Sequence, residues 1–260
     1  MSLGDILSNY TYVFLLILVR FSGLFLITPM LSSRLVPARV KIGLAFLFTI
    51  VSFPVIDGSH LMPSHEIMIL MEVLRELLVG LVIGFIVYLV FAIFQLAGRF
   101  VDMRMGFAIV NVTDPIHGST VPLMGQYKNI LITLLFLVIN GHHIMIRAIS
   151  RSFEMIPLGG AVLTNAGFEL IIKNIGELFL IAFMVALPVI ATLFIVDIIL
   201  GFLARTIPQL NIFVVGLPLK ILVGLIMMTL ALNIIIEFSG QLFHDMFQEV
   251  YKLLQLLIER

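Results

Sequence analysis

The chain has 260 residues, 61% of them hydrophobic and 12% charged, with a mean hydropathy of +1.21 and no net formal charge. Soluble domains run about half apolar and about a quarter charged, so this composition excludes an ordinary soluble domain and points to a polytopic integral membrane protein. Without like-charge runs there is no footprint for nucleic acid or a polybasic lipid patch, and without cysteine there are no disulfides, thiolate metal sites or cysteine nucleophiles.

The opening MSLGDILSNY carries Asp5 but no Lys or Arg ahead of a long apolar run, so no cleavable signal peptide is expected. Thr11–Leu31 is long enough to span a hydrocarbon core about 30 Å thick. Arg20 sits at its middle, where an unpaired arginine costs about 3 kcal/mol or more, so it must face protein or water. An ion pair with a neighbouring helix or subunit is favoured over a transport role.

SSRLVPARVK (Ser32–Lys41) reads as a short basic turn, and Ile42–Ile56, interrupted by Gly43 and Pro54, is short for a full span. Ile67–Gln95 is longer than one span needs. Glu72, Arg75 and Glu76 share one face of it, and Gly80 and Gly84 form a small-residue seam for another helix.

Gly98–Gly125, GRFVDMRMGFAIVNVTDPIHGSTVPLMG, breaks the apolar pattern with polar residues, glycines and prolines. Irregular polar backbone cannot face lipid, so this stretch reads as a loop at the bilayer surface, buried in protein or lining a wet path. Ile130–Ile146 is a further span interrupted by Asn140-Gly141-His142-His143. Adjacent histidines on a helix diverge by about 100°, which suits a shared metal poorly.

Arg147–Gly160 reads as a loop. Phe168–Leu203 is again over-long, with Glu169, Lys173 and Glu177 on one face, a kink expected at Pro188, and Asp197 deep in apolar sequence. For Asp197 a hydrogen bond across helices is favoured over a functional role. Ala204–Lys220 reads as a second polar break holding Gln209, Asn211 and Lys220. The last helix places Leu242, Phe243, Met246, Val250, Leu253, Leu254 and Leu257 on one side, facing the membrane or a partner subunit. With about six spans and an outside N-terminus, the Lys/Arg bias leans toward an inside location for the 34–41, 99–104 and 205–220 loops.

No phosphate loop, zinc-protease, nucleophile-elbow or dinucleotide motif occurs, and the acidic residues are scattered singly, so no enzyme and no cofactor is expected. A triad drawn from Asp114, His117 and Ser119 would need a loop folded back on itself. A stand-alone secondary transporter using Arg20 and Asp197 is the rival reading, against which stands the lack of a convincing internal repeat.

Several motifs together are similar to one family. They are VPARVKIGLAF (Val36–Phe46), AG with MGF and DP (Ala97–Gly98, Met105–Phe107, Asp114–Pro115), NGHH (Asn140–His143), PLGG (Pro157–Gly160) and LGFLARTIPQLNIFVVGLPLK (Leu200–Lys220). Over nearly the whole chain, in order, they resemble the FliR family of type III secretion export-gate proteins. That family includes flagellar members and the injectisome T component, and the likeness favours the flagellar branch.

The resemblance implies an all-α membrane protein of bent helical hairpins in the bacterial inner membrane, at the flagellar basal body. It implies FliP and FliQ as partners in a channel assembly, contact with FlhB, an FlhA ring below, and passage of unfolded flagellar subunits. It also implies a FliP-like part over 1–200 fused to a FliQ-like part over 201–260. The family's central loop plugs the closed channel, which assigns the plug here to Gly106, Phe107, Ile109, Val112, Asp114 and Pro115. Phe107 is the one aromatic among them, where the family often has several phenylalanines. Arg20, Asp197, Gln209, Asn211 and Lys220 are the candidate partner or inter-helix contacts.

Overall fold

The computed structural model describes residues 3–32, 36–56, 66–107, 122–207, 209 and 211–258. Among these the chain is helical: α1 (Leu3–Ile27), α2 (Pro29–Ser32), α3 (Ala38–Ser52), α4 (Glu66–Met105), α5 (Leu123–Val138), α6 (Gly141–Met155), α7 (Asn165–Thr206), α8 (Ile212–Leu230) and α9 (Leu232–Leu256). Three helices, Asn9–Ile27, Glu66–Met105 and Asn165–Thr206, are long and apolar enough to cross a membrane. The count rises to five if each of two broken pairs, α5 with α6 and α8 with α9, forms one span. This is a multi-pass helical membrane protein, with three to five candidate spans among the described residues, and Ala38–Ser52, at 15 residues, is too short to count as one of them.

At 40 and 42 residues, α4 and α7 each extend about 60 Å, twice the thickness of a hydrocarbon core. The α7 helix continues across Pro188. The α5–α6 break falls at Asn140, which takes the left-handed conformation (φ 57°). The α8–α9 break turns the chain by 53° at Ala231.

Contacts divide the chain into two units. The first comprises Met1–Leu89, Asn140–Asn174 and Phe243–Arg260. Its α1 lies against the early turns of α4 through glycine. A Cβ on Gly80 would stand 2.1 Å from the Arg20 carbonyl oxygen, and one on Gly23 2.7 Å from that of Leu77, so the seam at Gly80 and Gly84 is a true backbone-to-backbone contact. α3 packs on α1 through aromatic edges, with Phe14 against Phe46 at 5.4 Å and Phe21 stacked on Phe48 at 5.8 Å. The tail closes the unit: Phe243, Met246, Phe247, Val250, Leu253, Leu254 and Leu257 are buried, and the Val162 N–H donates to the Leu257 carbonyl at 2.9 Å. The apolar face of the last helix is therefore covered by the chain itself, not by membrane or a partner as its pattern suggested, because the chain doubles back onto 161–164.

The second unit comprises Val90–Ile139 and Ile175–Leu242. It contains the late turns of α4, α5, most of α7, α8 and the start of α9. Phe94, Ala97, Val101 and Met105 form a fully buried stripe on α4, and Phe91 meets Phe136 edge-on at 5.5 Å. By contrast α7 exposes Phe179, Phe183, Phe194, Ile195, Ile198 and Phe202, apolar surface of the kind lipid or other membrane helices cover.

Three expected loops are partly helical. Gly98–Met105 continues α4, because Ala97, Val101 and Met105 recur every four residues on the buried side while Arg99, Met103 and Arg104 point outward. Arg147–Met155 belongs to α6, with Ala148, Ile149 and Ser152 buried and Arg147, Ser150, Arg151 and Glu154 exposed. The break read over Ala204–Lys220 shrinks to 207–211, since α7 runs to Thr206 and α8 starts at Ile212 and passes through Pro218.

Candidate functional site

Three charged constellations organise the two units. In the first unit, Arg20 is wholly buried. Its Nε donates to Glu76 Oε2 at 2.5 Å and one terminal nitrogen to Glu76 Oε1 at 2.9 Å, a bidentate pair. The remaining terminal donors reach Ser152 Oγ at 3.1 Å and the Ile156 carbonyl at 3.2 Å, and the guanidinium lies 4.2 Å from the centre of the Phe153 ring. Glu76 Oε1 also accepts from the Gly159 N–H at 2.8 Å, while Gly159 (φ 73°) gives its carbonyl to Arg75. Tyr12 donates its hydroxyl to Glu72. The Glu72, Arg75 and Glu76 face thus ties α1 and the PLGG turn to α4, and Arg20 is a structural ion pair with a neighbouring helix.

In the second unit, Asp102 is nearly fully buried near the end of α4. Its carboxylate accepts from the Met124 N–H at 3.0 and 3.1 Å and from the Gly125 N–H at 3.2 Å, the orphan donors of the first turn of α5. One turn above, Gly98 faces Gly125 so closely that a Cβ there would stand 2.3 Å from the Gly125 Cα. Lys128, also buried, has no hydrogen-bond partner for its Nζ among the described residues. On α8, Leu217 packs against Gly106 (φ 88°), and Gly224 receives the Met105 side chain. Residues 98–106 and 122–125 are thus held together by Asp102 and by the Gly98–Gly125 crossing.

The third constellation is the Lys220–Asp197 ion pair between α8 and α7, about a quarter and a third exposed respectively. Asp197 is thereby paired with a cation on another helix. Gln209 and Asn211 are exposed at the α7–α8 break, where the Asn211 carbonyl accepts from the Val214 and Val215 N–H groups and starts α8. Of the candidate plug residues, Gly106 and Phe107 stand just past the end of α4. Ile109, Val112, Asp114 and Pro115 lie outside the described residues. Among the described residues no group of three or more His, Asp or Glu is placed to hold a metal, and the His142 and His143 rings lie 4.2 Å apart.

Residues 11–246 match the family described as bacterial export proteins, family 1. The flagellar biosynthetic protein FliR of Bacillus subtilis (strain 168) is 40% identical over 248 residues, covering 94% of this chain and 95% of that one. The protein of the same name from Escherichia coli (strain K12) is 34% identical over 230 residues, 88% of each chain. At greater distance, that of Aquifex aeolicus (strain VF5) is 29% identical over 221 residues, 85% of each. The chain belongs to the FliR family of bacterial export proteins. The matched region takes in all three constellations, so every ion pair described above lies within the shared FliR-family body.

Sequence reasoning picked out Arg20 and Asp197 but not the partner of either, and it passed over Asp102 and Lys128. A signal for those two was present. Asp102 stands four residues after Gly98 and Lys128 three after Gly125, spacings that put each charge on the face of a glycine.

Proposed function

We propose that this FliR-family chain is a non-enzymatic, channel-forming subunit of the flagellar type III export gate in the bacterial inner membrane. In this reading it assembles with FliP- and FliQ-type proteins, meets FlhB- and FlhA-type proteins, and passes unfolded flagellar subunits. Its 1–200 portion stands for a FliP-like part and 201–260 for a FliQ-like part. The segment Gly106–Pro122 closes the conduit at rest, with apolar side chains such as Phe107, Ile109 and Val112 excluding water and glycines letting the segment move aside.

The observation that carries this reading is the junction of α4 and α5 on either side of a stretch whose sequence is polar, glycine-containing and unsuited to lipid: at the end of a 40-residue apolar helix, a buried carboxylate and a glycine crossing join the two helices. The exposed apolar flank of α7 supports assembly with other membrane helices. The transporter reading loses its substrate-binding charges, since Arg20 and Asp197 each have a partner within the chain.

The test is deletion of Phe107–Thr120 in the chain co-expressed with FliP- and FliQ-type proteins. Ion leakage through the assembled complex is expected to rise while co-purification is unchanged. Leakage at the intact level in a normally assembled complex overturns the closure role.

A further inference from the structure

We propose that the outward face of α6 binds an anionic phospholipid, its phosphate between Arg147 and Arg151 and an acyl chain in the apolar cavity beside them. The proposal needs only that the chain lies in a membrane, and it does not depend on the closure reading above.

The α6 helix is two-sided. Met145, Ala148, Ile149 and Ser152 are buried, whereas Arg147, Ser150, Arg151 and Glu154 are exposed. Charges spaced this closely are costly in hydrocarbon, so the outer side of α6 belongs at the depth of lipid headgroups. A cavity of about 540 Å³ opens there, lined by Ile144, Arg147, Ser150, Arg151, Glu154 and, from α9, Tyr251. Arg147 and Arg151 stand one turn apart and so share a face. The Arg151 guanidinium lies 5.5 Å from the centre of the Tyr251 ring. Neither arginine has an ion-pair partner among the described residues. Each guanidinium presents a planar fork of donors that matches phosphate oxygens, and both forks serve one cavity.

A second cavity of about 570 Å³ adjoins the first, since Ser150 and Glu154 line both. The rest of its wall is mainly apolar: Val51, Val55 and Ile56 from the end of α3, then Phe153, Pro157 and Leu158. Phe153 is held by the buried Arg20 guanidinium, 4.2 Å from its ring centre. Both cavities have the volume usual for small-molecule sites. A cationic cavity and an apolar one with a common wall fit a molecule with an anionic head and a hydrocarbon tail. A free anion would use only the first.

Glu154, at the junction, narrows the choice of head. Two arginines against this one carboxylate leave a single net positive charge, and the carboxylate accepts hydrogen bonds. Phosphatidylglycerol carries one negative charge and hydroxyl donors, so it matches both. Phosphatidylethanolamine carries no net charge and would leave the excess uncompensated.

The chain has no cysteine, so Ser150→Cys places a single thiol where the two cavities meet. Its labelling by a soluble maleimide is read by the mass of this chain, assembled with FliP- and FliQ-type proteins in vesicles. Phosphatidylcholine vesicles containing phosphatidylglycerol are expected to slow labelling about fivefold relative to phosphatidylcholine alone. Phosphatidylethanolamine, or inorganic phosphate added to phosphatidylcholine vesicles, is expected to change it by less than about twofold. Adding Arg147→Gln and Arg151→Gln, both at exposed positions, should remove the protection, because each arginine near a membrane surface contributes about fivefold to anionic-lipid binding. Val55→Asp, which sets a carboxylate in the apolar cavity, should remove it too. Lys252→Gln, an exposed cation lining neither cavity, should keep it.

Protection that survives the arginine pair's replacement overturns the proposal, as does equal protection by phosphatidylethanolamine or by inorganic phosphate alone. A thiol that reacts in the isolated chain but not in the assembly, whatever the lipid, shows that a partner protein covers this face and overturns it as well. If the arginine variant does not assemble, salt replaces it. Protection of the parent thiol by phosphatidylglycerol should fade as ionic strength rises, and protection indifferent to salt overturns the proposal.

Discussion

Arg20 and Glu76, fifty-six residues apart in sequence, meet in a bidentate ion pair from which water is wholly excluded, with Nε 2.5 Å from Oε2. Such a pair contributes little net stability over an apolar pair of the same shape, but half of it is a liability. Arg20→Met or Glu76→Gln alone is expected to cost about 3–5 kcal/mol, and Arg20→Met combined with Glu76→Leu to recover most of it. Thermal unfolding of the purified protein in detergent reads the difference. Additive losses would mean that the pair does not act as a unit.

The glycine seam makes a sharp contrast between positions. Gly80→Ala forces a methyl group into the Arg20 carbonyl 2.1 Å away, with backbone on both sides, and is expected to cost about 3 kcal/mol or more. Gly43 and Gly176 are helical glycines with nothing within 4 Å, so alanine there is expected to be neutral or stabilising by about 0.5–1 kcal/mol. Melting temperatures and accumulation in the membrane fraction check both halves.

The Lys220–Asp197 pair is partly open to its surroundings. Replacing either residue by alanine is expected to cost about 1 kcal/mol or less, and exchanging the two charges to restore the loss. Co-purification with FliP- and FliQ-type proteins, measured on the same variants, shows whether the pair also serves an interface. Loss of assembly without loss of intrinsic stability would place it there.

Burial of the tail predicts a large effect from small truncations. Leu254→Ala is expected to cost about 2–5 kcal/mol, whereas Lys252→Ala, which removes only an exposed i, i+3 pair with Glu249, should leave the melting temperature essentially unchanged. Limited proteolysis near 161–164 and 257 follows the same order.

Much of the architecture was legible because membrane chemistry writes it in composition: the apolar runs around α1, α4 and α7 and the break at Asn140 all appear as expected. Two misreadings share one cause. Polar residues and glycines read as loop signals at Gly98–Met105 and Arg147–Met155, yet in both places they alternate with buried residues at helical spacing, and Gly98 is needed for close approach to Gly125, while Ile156–Gly160 is the turn the sequence suggested. Arg20 was recognisable as a paired residue from its burial cost alone. That Glu76 is its partner depends on how α1 crosses α4, which no local pattern encodes. The amphipathic face of α9 was visible too, but a stripe of leucines does not say whether lipid, a partner or the same chain will cover it.

The hydrogen bond from Val162 to Leu257, with the Ala161–Ile258 bridge beside it, sets a timing constraint on biosynthesis. The unit that holds Arg20 and Glu76 draws on Met1–Leu89 and also on Phe243–Arg260, far later in the chain. Its core stays open until Phe243–Leu257 has been made, with the pocket for Phe243, Val250 and Leu254 unfilled until then. A chain cut short ahead of residue 243 therefore keeps Asn9–Ile27, Glu66–Met105 and Asn165–Thr206 but leaves the pocket of its amino-terminal unit unfilled.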